Sequence, residues 1–228
     1  PSTAATNGDS IAITGALSAG TLAGSTGVTI NAVANGSGTG FNQAANAITS
    51  SAGGVTITSN SQTGTAYYST GNITATGQSI TITTTSTTAA GINDTGTISG
   101  GAVSLTSTQS TASATATPIT ATGTITANSL TVTGTGGAST TIVSLGAITI
   151  NAGGGNILVT ANAVAAGADA GIYQTGAITD NAVGGNIIFT SNNIINQTGA
   201  ITLVANSGVP VANIIYDTTR GNKSSNIS

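Results

Sequence analysis

The sequence predicts an all-β protein, a parallel β-solenoid of roughly nine coils at about 23–30 residues per coil. Two short motifs that alternate along the chain carry this reading. A composition poor in large apolar and charged residues supports it.

The first motif is Thr-Gly-x-Ile-Thr/Ser. It occurs as TGNIT (70–74), TGTIS (95–99), TGTIT (122–126) and TGAIT (175–179 and 198–202), with LGAIT (145–149) as a variant. Its glycines, Gly71, Gly96, Gly123, Gly146, Gly176 and Gly199, are spaced by 25, 27, 23, 30 and 23 residues. The second motif is an alternating apolar pair: Val55/Ile57, Ile80/Ile82, Val103/Leu105, Leu130/Val132, Ile157/Val159 and Ile187/Phe189. The two series interleave without exception. A third regularity sets the face. An apolar residue lies six positions before the motif isoleucine, as in Tyr67 to Ile73, Ile92 to Ile98, Ile119 to Ile125, Ile142 to Ile148, Ile172 to Ile178 and Ile195 to Ile201. Even spacing keeps both residues on one side of an extended chain. The glycine between them reads as a bend or bulge.

Each unit is therefore two or three short strands separated by Gly/Asn/Ser corners. Strands this short bury a face only when stacked on equivalent neighbours, at about 4.8 Å per coil, which makes a rod about 40 Å long. An antiparallel sandwich would share the short alternating strands but would not require two motifs to alternate at a coil-like period. Helix is disfavoured by the Thr, Gly, Asn and β-branched content and by the lack of a 3.6-residue stripe. The solenoid is expected over residues 1–206, with 10–50 as less regular first coils. Residues 207–228 break the pattern and read as a cap, a linker or an inter-subunit segment.

Composition narrows the function classes. The 228 residues include two basic and five acidic side chains, no His and no Cys. A basic nucleic-acid surface, a Cys/His metal site and a Ser-His-Asp triad are thereby excluded. Disorder is disfavoured, because mean hydropathy is +0.30 and net charge only −3. No apolar run approaches a membrane span. Residues 1–10 (PSTAATNGDS) lack the features of a signal peptide, so the chain reads as a mature or excised segment. Scarce charge also suits stacking, since a repeated Lys or Asp would face its own kind one coil away.

NAGGGN (151–156) and NAVGGN (181–186) read as equivalent corners. Asn151, Asn156, Asn181 and Asn186 are therefore candidates for a structural amide ladder, asparagine being suited to left-handed corners and to stacking on itself. Outward Thr-x-Thr pairs, Thr56/Thr58, Thr81/Thr83 and Thr131/Thr133, with Ser104/Thr106 between them, form a candidate array of the kind ice-binding solenoids present. Leu158 and Ile188 interrupt it and suggest an apolar stripe suited to bundling of rods. Hydroxyl ladders are expected along the array. Enzymatic β-helices need clustered carboxylates. The five aspartates, Asp9, Asp94, Asp169, Asp180 and Asp217, are scattered and read as turn residues, Asp169 and Asp180 being the nearest pair. No catalytic residue and no cofactor is expected. Tyr216, Asp217, Arg220 and Lys223 are candidates for contact with a neighbouring subunit, and NIIYD (213–217) for pairing with another chain. Asn-x-Ser/Thr triplets, as at Asn72 and Asn93, are expected by chance in a chain this rich in Asn and Thr.

The TGAIT and GGNIxxTS phrases resemble the repeats of filamentous-haemagglutinin-like adhesins and related giant bacterial surface proteins, over roughly residues 50–206. The resemblance implies a right-handed parallel β-helix that is exported and extended, at the cell surface or secreted, serving adhesion, biofilm or filament building. The partners it implies are copies of the chain or further repeats of the same polypeptide, end to end or side by side, and host or surface glycans. It implies no nucleic acid and no membrane insertion.

Overall fold

The computed structural model describes residues 2–4, 8–20, 27–112, 114–139, 141–151, 155–164, 171–181, 184–203, 213–218 and 226–227. Every regular element among them is a strand, and the strands form three parallel sheets. Sheet A holds the long strands: Ser2–Ala4, Val28–Ala34, Val55–Ser61, Ile80–Ser86, Ala102–Gln109, Ser129–Gly136, Ile157–Ala163, Ile187–Ser191 and Ile214–Thr218. Sheet B runs from Ile11–Ile13 through Phe41–Gln43, Tyr67–Ser69, Ile92–Asp94, Ile119–Ala121, Thr141–Leu145, Gly171–Gln174 and Ile195–Gln197 to Asn226–Ile227. Sheet C runs from Leu17–Ala19 through Ile48–Ser50, Ile73–Ala75, Ile98–Gly100, Ile125–Ala127, Ile148–Ile150 and Ile178–Asp180 to Ile201–Leu203. The chain visits A, B and C in turn, and each strand pairs with its equivalent one coil away.

The register is unbroken in sheet A from Val28 to Ile214, through Val55, Ile80, Val103, Leu130, Ile157 and Ile187. This makes about seven turns, fewer than the nine coils expected from length. Dividing length by a period of 25 residues counts the ends as full coils, whereas there the strands pair but are less covered: Ile11, Ile13, Leu17 and Ala19 at one end and Ile201 and Leu203 at the other are only partly buried.

Alternation explains the strands. In Val55–Ser61 the inward residues Val55, Ile57, Ser59 and Ser61 are buried and those between them are not. Sheet A supplies two inward apolar columns and sheets B and C one each, all lined by Ile, Val or Leu with a few aromatics. Each buried Ile or Leu contributes roughly 1.5–3 kcal/mol of transfer free energy. One coil departs from the expected parity. Val143, not Ile142, lies in register between Ile119 and Ile172, with a shift between Thr141 and Val143, and both Ile142 and Val143 are buried. The bulge places two apolar side chains where other coils place one.

Gly71, Gly96, Gly123, Gly176 and Gly199 lie at bends, as expected, but the bend does not by itself demand glycine. The glycines with positive φ among the described residues are Gly27, Gly36, Gly77 and Gly184, none in the motif series. A Cβ on Gly96 would instead collide with the carbonyl of Gly71, one on Gly123 with the carbonyl of Gly96, and one on Gly199 with the carbonyl of Gly176. The corners of successive coils stack backbone on backbone, and only glycine leaves room.

Candidate functional site

Two surfaces and one interior column concentrate the chemistry. On the outer face of sheet A, Thr58, Thr83, Thr106, Thr133, Thr160 and Thr190 stand in one column through six consecutive coils. The column beside it runs Thr56, Thr81, Ser104 and Thr131, then Leu158, Ile188 and Ile215. The expected interruption at Leu158 and Ile188 thus affects one column, and the other continues past it. Leu158 and Ile188 are half-buried, and Ile215 is 44% exposed, so the apolar residues form a short outward strip at one end. Among the described residues no hydroxyl of these columns bonds to the next, so the expected hydroxyl ladder is not formed.

At the corner before sheet A, the Asn186 backbone N–H donates to Oδ1 of Asn156 at 2.9 Å, and Asn213 Nδ2 donates to Oδ1 of Asn186 at 3.2 Å. The amide ladder runs through Asn156, Asn186 and Asn213. Asn151 and Asn181 sit at the exposed corner after sheet C, where their backbone N–H groups donate to Ala127 and Ile150. Tyr216 points inward: it stacks on Phe189 at 5.4 Å and donates to Gln197 Oε1 at 3.1 Å. Asp217 is exposed, and Ile214–Thr218 pairs with Ile187–Ser191 as the next strand of sheet A. Asp169, Arg220 and Lys223 lie outside the described residues.

The interior holds what the sequence reading missed. The last inward position of sheet B runs Gln43, Ser69, Asp94, Ala121, Leu145, Gln174 and Gln197 in register. Where polar, these side chains tie the glycine corner that follows. Ser69 Oγ donates to Gly71 O at 3.0 Å, Gln174 Nε2 to Gly176 O at 3.0 Å, and Gln197 Nε2 to Gly199 O. Asp94 Oδ1 instead accepts from Gly96 N–H at 3.1 Å. Gln43 Nε2 donates to Asn46 O at 2.7 Å and Asn72 O at 3.1 Å, while its Oε1 accepts from Tyr67 and Ser69, each at 3.3 Å. Asp94 and Asp180, expected at turns, are strand residues only 1% exposed. Burial pushes the Asp94 carboxyl up to about 7, against the smaller opposing pull of the Gly96 N–H and Ser69. Parity carried the signal: Asp94 lies two residues after Ile92 and so shares its inward face. The turn preference of aspartate outweighed it.

Among the described residues no group of three or more acidic side chains is arranged to hold a metal ion, and no helix is long and apolar enough to cross a membrane. No protein-family model, curated protein or solved structure matches the chain.

Proposed function

We propose that the chain is a stiff β-solenoid shaft, or the subunit of a self-assembling filament, in the adhesion, biofilm or surface architecture of a bacterium. In this reading it is secreted or displayed at the cell surface, coils right-handedly as its adhesin-like repeats imply, and has no enzymatic activity. Its partners are further repeats or copies of itself, and surface glycans. The observation that supports it most is the unbroken register of sheet A from Val28 to Ile214. A stack in which each coil contacts only its neighbours is extensible in one dimension and resists bending and proteolysis along its length. Negative-stain electron microscopy over a concentration series tests the reading. Uniform rods or fibres are expected, and compact particles at every concentration would overturn it.

A second reading rests on the column from Thr58 to Thr190. Hydroxyl and methyl groups repeat there at about 4.8 Å across strands on a regular face whose column meets a charge only at its end, where Asp217 follows Thr190, a lattice suited to ordered water. In an ice-recrystallisation assay, inhibition lost in Thr106→Lys/Thr133→Lys would support ice binding. Inhibition absent from the native chain removes that reading and leaves the shaft untouched.

A further inference from the structure

Asp94 occupies an unusual position in the donor–acceptor pattern of the core. Its strand is flanked in sheet B by Tyr67–Ser69 on one side and Ile119–Ala121 on the other, so its in-register neighbours are Ser69 and Ala121. Ala121 offers a methyl group. Ser69 offers a single hydroxyl proton, yet its Oγ lies 3.0 Å from Gly71 O and 3.3 Å from Gln43 Oε1, and its side chain is the neighbour that acts on the Asp94 carboxyl from the adjacent coil. Gln43 Nε2 is committed to the carbonyls of Asn46 and Asn72. The Tyr67 hydroxyl also donates to Gln43 Oε1, so the hydroxyls of Ser69 and Tyr67 face Gly71 O, Gln43 Oε1 and the Asp94 carboxyl, and the cluster is short of one donor. A carboxylate would add another acceptor, whereas a carboxylic acid supplies the missing proton. Charge points the same way. Tyr67 is the titratable group that faces Asp94 from these strands, the chain contains no histidine, and its two basic residues, Arg220 and Lys223, fall outside the sequence of the surrounding coils. A buried carboxylate without a cation is expensive to ionise.

We infer that Asp94 is held as a neutral acid whose O–H donates to Ser69 Oγ, completing a polar brace Asp94–Ser69–Gln43 through three coils that is intact only while the carboxyl is protonated. The proton-bound form frees the Ser69 hydroxyl to donate onward to Gln43 Oε1 or Gly71 O. Ionisation turns that hydroxyl back to the carboxylate, leaving Gly71 O without its donor and Gln43 Oε1 with that of Tyr67 alone. The brace is thus a pH-responsive device inside the rod: tight in acidic surroundings, and loosened around residues 67–96 as the medium becomes alkaline. It goes beyond the shaft reading and does not depend on it.

The test is a carbon-detected NMR titration of the Asp94 side-chain carboxyl in the intact chain, with amide exchange measured alongside and corrected for the intrinsic rate. The carboxyl is expected to titrate near neutrality. Protection of the amides of Tyr67, Ser69 and Asp94 is expected to fall at least tenfold between about pH 5 and about pH 8.5. Asp94→Asn, whose Nδ2 donates to Ser69 as the acid does, is expected to keep its protection across that range. A carboxyl that titrates in the ordinary aspartate range overturns the inference, as does an equal loss of protection in Asp94→Asn. If that variant fails to fold, the titration of the native carboxyl decides alone.

Discussion

The Tyr67 hydroxyl donates to Gln43 Oε1 one coil away, 3.3 Å distant, with both side chains fully buried. Its ring meanwhile stacks on Phe41 at 5.6 Å. The same device recurs near the other end, where Tyr216 stacks on Phe189 and donates to Gln197 at 3.1 Å. Each tyrosine contributes an apolar face to an aromatic step and a hydroxyl to a polar column. Tyr67→Phe keeps the stack and removes one donor, and should lower stability by about 1 kcal/mol. Gln43→Leu also strips donors from the carbonyls of Asn46 and Asn72, and should cost about 2–4 kcal/mol. Urea denaturation read by circular dichroism measures both. Equal effects would show that Gln43 is not the hub.

Glycine substitutions should separate three causes. Gly15 meets nothing within 4 Å of a built Cβ, so Gly15→Ala should be neutral within about 0.5 kcal/mol. Gly77 has open space but φ +67°, so Gly77→Ala should cost about 1–2 kcal/mol through backbone strain alone. Gly96→Ala drives a methyl into the Gly71 carbonyl and should cost more than about 3 kcal/mol or abolish folding. Thermal melts of the three variants test the order, and a mild Gly96→Ala would refute close stacking of the corners.

Stability should fall as pH rises through the acid-to-neutral range. The Asp94 carboxyl is raised from its ordinary value of 3.8 to about 7 in the fold, so the native state binds a proton that the unfolded chain has released. The contribution is fully present below about pH 4, declines between about pH 4 and 7, and is gone above that window. Tyr67, raised well above 10.0 by burial and by Asp94, extends the loss into strongly alkaline solution. Unfolding free energies from urea denaturation, measured from about pH 4 to about pH 9, should therefore descend, by a few kcal/mol in all, and the urea midpoint with them. A midpoint that rises over this range would contradict the buried acid.

Adjacent residues on one strand should respond oppositely to truncation. Leu105 is fully buried, and Leu105→Ala should cost about 2–5 kcal/mol. Thr106 faces outward from the same strand, and Thr106→Ala should stay within about 0.5 kcal/mol. Similar losses at both positions would place the face incorrectly.

The amide ladder is exposed and should matter less than the core. Asn186→Ala removes the acceptor of Asn213 Nδ2 while its own backbone N–H still reaches Asn156 Oδ1, so the loss should be below about 1 kcal/mol. Exchange of the Asn186 and Ile187 amides reads this locally, and a global loss of structure would count against a peripheral role.

Local pattern alone determined the solenoid. Pairs such as Ile80/Ile82 declare an inward face because side chains alternate along a strand, and their recurrence in step with the TGxI glycines declares stacking. Tertiary structure decided whatever depends on the neighbouring coil. The number of turns followed from how far the ends are covered, which no periodicity reports. The motif glycine owes its identity to a carbonyl some 25 residues away: at Gly96 that carbonyl belongs to Gly71, and nothing in the local backbone of Gly96 demands it. Thr160 and Thr190 join the outer column only once register sets them beside Thr133. Asp94 reads as a turn residue by propensity; alternation from Ile92 turns it inward, but only the adjacent coils, which set Ser69 and Ala121 beside it, decide what its carboxyl meets there. Alternation is a short-range property of the chain, whereas collision, coverage and ionisation depend on which residue lies one coil away.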